Sequence, residues 1–167
     1  MMTCPPRAGF GETTMTTTTT TAGAQASVFR YSIMSCFAAG FISVLLFQMG
    51  AIAILHAFGL VPFQPFGYAA TKPLGVPQIW SFAFWGGIWG IVYGAIEQRF
   101  PQGPAYYVAA FLFGAILPVL VLWFVVFPLR GQPVAAGWDV SRMIMQIIFH
   151  GCFGLGLGVL LRWRGAT

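Results

Sequence analysis

The chain has 167 residues, 58% hydrophobic and only 7% charged, with a mean hydropathy of +0.81, whereas a soluble domain carries about a quarter charged residues. Eight Lys and Arg against three Asp and Glu leave a formal charge of +5, but the basic residues stand singly between apolar runs. No stripe follows a phosphate backbone, so the pattern excludes nucleic acid as a partner and points to a lipid bilayer instead.

Residues 1–29 carry GETTMTTTTTTAGAQAS, a tract with almost no bulky apolar residue to pack, and are expected to form a disordered tail. The tail lacks the apolar segment of a signal peptide, and Cys4 has no lipobox before it, so neither a leader nor a lipid anchor is read there. Met15 competes with Met1 and Met2 as the start. Four apolar runs follow: Ile33 to Val61, Ile79 to Ile96, Ala105 to Phe127, and Met143 to Leu161. Each meets the roughly 17–25 helical residues that cross a hydrocarbon core of about 30 Å. The first is longer than one span requires, which implies tilt or an end near Gly59. Membrane strands would alternate apolar and polar residues, and these runs are apolar on every face. The fold class is therefore all-α, an integral membrane bundle of four transmembrane helices within residues 30–167.

Arg30, Arg99, Arg162 and Arg164 flank one side of these spans, and Lys72, Arg130 and Arg142 the other. The positive-inside rule then puts both termini in the cytoplasm of a multi-pass protein of a bacterial inner membrane. Trp80, Tyr106, Tyr107, Trp138 and Trp163 lie near span ends, where an amphipathic ring sits at headgroup level. Asp139, in GWDVSR, reads as the N-cap of the fourth helix, its carboxylate accepting orphaned amide hydrogens, and not as a catalytic group. Glu97 ends the second span beside Arg99, and Arg162 ends the fourth on the same side. Glu97 and Arg162 are accordingly the candidate interfacial ion pair. The three cysteines, Cys4, Cys36 and Cys152, share neither a CxxC spacing nor a common depth, so they read as unpaired and no metal site is expected.

Spans one and three both run out through a proline-containing exit, GLVPFQP and VVFPLRGQP, and about twenty residues later come FWGG and FHGC. This repeat implies two similarly oriented helical hairpins. In lipid, close contact between small residues replaces the hydrophobic effect as the force that joins helices. Gly86, Gly90 and Gly94 make one such groove by GxxxG spacing, and Gly154 and Gly158 make another, with Gly151 beside it. Ala53 and Ala57 in the first span and Ala110, Gly114 and Pro118 in the third are the matching small faces. Packing within the bundle is the expected use; a homodimer seam is the alternative. Trp85 and Trp89 flank the first groove, where large rings fill interhelical space or face lipid, or wall a ligand pocket.

The segment MQIIFHGCFGLGLG places His150 near mid-span, with Gln146 one turn earlier on the same face. A polar side chain at that depth needs a partner, and Gln48, at mid-span in the first helix, is the candidate. Gln48, Gln146 and His150 are thus expected to form an intramembrane polar cluster, each interhelical bond contributing about 0.6–2 kcal/mol. Ionisable groups inside a membrane also invite a functional reading. One is a proton or small-solute path centred on His150, with Glu97 and Arg99 at the inner mouth and Pro118 as the candidate helix break. Another is a haem or chlorin held by His150; a second axial ligand from His56 would lie about 7 Å away in depth. GLGLG brushes the dinucleotide fingerprint but lies inside a span, without a preceding strand. Ser35, Ser43 and Ser81 lack the surroundings of an activated nucleophile, and three carboxylates leave little for acid/base catalysis.

The run GGIWGIVYGAIEQRFP, a third apolar span and the closing HGCFGLGLGVLLRWR resemble uncharacterised YagU-like small polytopic proteins of the bacterial inner membrane. The resemblance rests on Gly90 with Tyr93, Phe100 with Pro101, and His150 with Gly151, and covers roughly the last ninety residues. It implies a polytopic fold and no settled activity. Together these features predict a structural or accessory membrane subunit without enzymatic activity or cofactor, packing within itself or against a larger membrane complex. The alternatives are the small transporter or proton-coupled permeation protein centred on His150 and, behind it, the tetrapyrrole binder.

Overall fold

The computed structural model describes residues 30–62, 64–71 and 75–165; the expected threonine-rich tail with Cys4, and Lys72 of the loop between the first two spans, lie outside them. Four helices dominate: α1 (Ile33–Ala57), α2 (Gln78–Arg99), α3 (Ala105–Leu129) and α4 (Val140–Trp163). By length and composition each is able to cross a membrane. The fold is all-α, with two-residue strands β1 (Ala70–Thr71) and β2 (Val76–Pro77) pairing antiparallel in the loop before α2.

The helix ends follow from local chemistry. Ser32 caps α1, its hydroxyl accepting the Ser35 amide at 3.2 Å. α1 stops four residues short of Val61 because Gly59 turns left-handed, with φ 69°, while its amide and that of Leu60 return to the carbonyls of His56 and Leu55. Asp139 Oδ1 accepts the amides of Ser141 and Arg142 at the head of α4. α1 and α3 each contain one π-helical turn, at Val44–Gln48 and Leu122–Val126. Pro118 does not break α3: the α-helix runs through it to Val121, and the wider turn follows. The loss of its amide hydrogen bond is therefore absorbed inside a continuous helix.

α1 with α2, and α3 with α4, form two hairpins, each closed by glycine contacts of the same kind. A β-carbon on Gly40 would overlap the Gly86 carbonyl, and one on Gly114 would overlap the carbonyl of His150. Gly90 meets the Cys36 carbonyl as Gly154 meets that of Ala110, and Gly87 lies under the Phe37 ring as Gly151 lies under Phe111. The chain offset is constant within each helix pair, which sets the register of the repeat: Gly87 corresponds to Gly151, and Gly86 to His150. FWGG and FHGC thus align one residue away from their apparent sequence match, through the glycines that contact the neighbouring helix.

The hairpins join unequally. Between α1 and α4, Ser43 is buried and donates a 2.6 Å hydrogen bond to the Phe153 carbonyl, and Gly156 sits against Ser43 and the Phe47 ring. On the opposite flank the repeat puts Leu117 where α1 has Ser43, and Val92 where α4 has Gly156. Both of these side chains are exposed. That side is filled by rings instead, with Phe113 edge-on to Trp89 and Tyr93 at centroid distances of 6.1 and 5.0 Å.

Candidate functional site

Two polar regions lie within the bundle. The first is the mid-span segment around His150. There α4 faces α3: the His150 carbonyl rests on Gly114, Gly151 lies under Phe111, and Trp123 Nε1 donates to Gln146 Oε1. His150 Nδ1 lies 2.8 Å from the Gln146 carbonyl oxygen, so Nδ1 carries the proton and donates it within its own helix. Gln146 therefore serves both neighbours, one through its side chain and one through its backbone. Gln48, half-buried on α1, makes no hydrogen bond to either. The expected triad thus resolves into a Trp123–Gln146–His150 chain, because this stretch of α4 turns towards α3 and an indole from that helix reaches Gln146. His56 has a local partner too, its Nδ1 lying 3.1 Å from the Val61 carbonyl oxygen.

The predicted packing glycines separate by what they touch. Gly86 and Gly90 meet α1; Gly154 meets α3; Gly158 meets Ala110, the Tyr93 hydroxyl and the Tyr106 ring; Gly94 is buried in α2. The two tryptophans do not act together. Trp85 is exposed beside Phe84, whereas Trp89 is half-buried and packs on Phe113.

The second polar region lies at the C-terminal end of α2, where Glu97 and Arg162 were expected to pair. Glu97 is 4% exposed, and its Oε2 has no hydrogen-bond partner. Arg162 does not pair with it: its guanidinium lies 4.0 Å over the Tyr106 ring and 5.6 Å from the Tyr107 ring, and Nη2 donates to Gln102 Oε1 at 3.2 Å. The expected ion pair is replaced by a cation stacked on two aromatic rings. Among the described residues the ion pair formed is the exposed Arg142–Asp139 contact at 3.4 Å, a type worth about 0–1 kcal/mol.

Tyr93 and Tyr106 complete this region. Both are buried, with hydroxyls that have no partner, and both lie within electrostatic reach of each other and of Glu97. Tyr106 is therefore a core ring inside the bundle, whereas Tyr107 is 37% exposed. The rings are fixed by edge-on contacts, Tyr93 against Phe100 and Phe113, and Phe100 against Tyr106. Tyr31 and Cys36 approach Glu97 from the start of α1. Burial, and after it the Glu97 carboxylate, raises the Tyr31 phenol above its ordinary value. The signal in the sequence was Tyr93 four residues before Glu97, a spacing that stacks two polar side chains on one helical face.

Among the described residues no three His, Cys, Asp or Glu side chains gather as a metal site, and Cys36 and Cys152 are free thiols. Comparison of the chain with family models, curated proteins and solved structures returned no match.

Proposed function

We propose that the chain is a multi-pass protein of the bacterial inner membrane, with both termini cytoplasmic, that acts as a structural or accessory subunit and not as an enzyme. One observation carries the reading: the mid-bundle polar groups are engaged in packing. Ser43 ties α1 to α4, Trp123 ties α3 to Gln146, and His150 bonds its own helix. Glycines at GxxxG spacing bring the backbones together, which is how helices associate where lipid removes the hydrophobic drive. Those glycines are occupied inside the chain, so a larger membrane complex would meet outward side chains such as Trp80, Phe84 and Trp85, all exposed. The resemblance to YagU-like proteins agrees with this reading, as does the scarcity of carboxylates.

The competing reading is a permeation protein centred on His150. Proteoliposomes loaded with a pH-sensitive dye separate the two. The accessory role predicts that wild type and His150→Phe leak protons no faster than protein-free vesicles under an imposed gradient. Flux in the wild type that His150→Phe abolishes, with the variant still folded, would establish the permeation role instead.

A further inference from the structure

The inner end of the bundle brings together three oxygens with no protein partner: Glu97 Oε2, Tyr93 Oη and Tyr106 Oη. They come from α2 and α3, and each residue is at least nine-tenths buried, at 4%, 0% and 1% exposure. Buried polar atoms are nearly always hydrogen-bonded, so three orphans at one place call for a guest that bonds to all of them. Tyr106 lies within reach of both Tyr93 and Glu97, yet none of the three oxygens completes a hydrogen bond of ordinary geometry. The charged and titratable groups around Glu97 are Tyr31 and Cys36 from the start of α1, Tyr93 from α2, Tyr106 from α3 and Arg162 from α4. Arg162 is the cation among them, and its guanidinium is committed to the Tyr106 ring and Gln102.

We propose that Glu97, Tyr93 and Tyr106 form a buried receptor for one alkali-metal ion. The donor set is oxygen alone, which suits a hard cation over a soft transition metal. One carboxylate supplies one charge, and the other described acid, Asp139, caps the head of α4 and pairs with Arg142, so it adds no second charge here to hold a divalent ion. Gly158 borders this place: a β-carbon there would stand 2.9 Å from Ala110, 3.1 Å from the Tyr93 hydroxyl and 3.2 Å from the Tyr106 ring. Carboxylates at such depth in membrane proteins mark ion and proton sites by their cost alone. The inference goes beyond the structural role proposed above and does not depend on it.

The test uses the full chain in detergent, with thermal unfolding followed by tryptophan fluorescence. Sodium or potassium chloride replaces choline chloride at fixed pH and ionic strength. The wild-type midpoint rises with added alkali ion, and Glu97→Gln removes that rise. Tyr93→Phe and Tyr106→Phe keep the ring packing and shift its half-point about tenfold, as loss of one ligand should. The proposal is overturned if wild type and Glu97→Gln respond alike, which leaves the oxygens a bridging water. It is equally overturned if the response is unmoved by either tyrosine substitution; that comparison stands even where Glu97→Gln does not fold.

Discussion

Ser43 Oγ donates a 2.6 Å hydrogen bond to the carbonyl oxygen of Phe153, tying the first hairpin to the second at a place where Gly156 also admits Ser43 and the Phe47 ring. A small polar residue on α1 and a glycine on α4 together set how closely the hairpins approach. Ser43→Ala removes the bond and keeps the space, and is expected to cost about 0.6–2 kcal/mol. Ser43→Leu puts on this flank the residue that α3 carries at Leu117, and is expected to cost more by forcing the hairpins apart. Unfolding in a graded detergent mixture measures both.

Gly40 and Gly114 occupy equivalent places, each against a carbonyl of the partner helix. Gly40→Ala and Gly114→Ala should each lower stability by about 1–3 kcal/mol, the usual cost of overpacking. Gly50 has nothing within 4 Å of its would-be β-carbon. Gly50→Ala should therefore be neutral or stabilising by up to about 1 kcal/mol, as alanine is the better helix former. Equal effects at all three positions would show that the glycines matter only through propensity.

The indole of Trp123 and the side-chain carbonyl of Gln146 join α3 to α4. A double-mutant cycle with Trp123→Phe and Gln146→Leu should return a coupling energy of about 0.6 kcal/mol, and no more than about 1.7 kcal/mol. A coupling of zero, with both single variants folded, would mean that the bond contributes nothing beyond packing.

Tyr31, just ahead of α1, has its phenol raised from 10.0 by burial and then by Glu97. The folded state therefore holds this proton longer than the unfolded chain does. The resulting stability is present below the unfolded value and is lost as the pH climbs through the folded one. Tyr31→Phe should flatten the fall of the unfolding midpoint above about pH 10, leaving the midpoint near neutral pH little changed.

The four helices were legible because length and continuous apolarity alone define a span, and Asp139 because a short carboxylate directly before an apolar run has few other uses. The glycine spacing told which faces would approach another helix. It did not tell which helix would meet which, since every span owns a small face. That choice left Gln48 apart from Gln146, because α4 turns its Gln146–Gly151 stretch to α3. The Glu97 region was hidden for a different reason. A glutamate near an arginine reads as an ion pair, and nothing in a linear sequence reveals that the guanidinium prefers the face of Tyr106. Nor did the position of Tyr106, one residue into α3, distinguish a buried ring from one at the headgroups.

The most direct test of the two-hairpin membrane architecture is the sidedness of its loops. In a background with Cys4, Cys36 and Cys152 replaced by alanine, single cysteines are placed at the exposed positions Gln64, Pro101 and Gln132, and a membrane-impermeant maleimide is applied to intact spheroplasts and to inverted vesicles. With both termini cytoplasmic, Gln64→Cys and Gln132→Cys should react only in spheroplasts and Pro101→Cys only in inverted vesicles. Labelling of Pro101→Cys and Gln132→Cys from the same side would contradict that architecture.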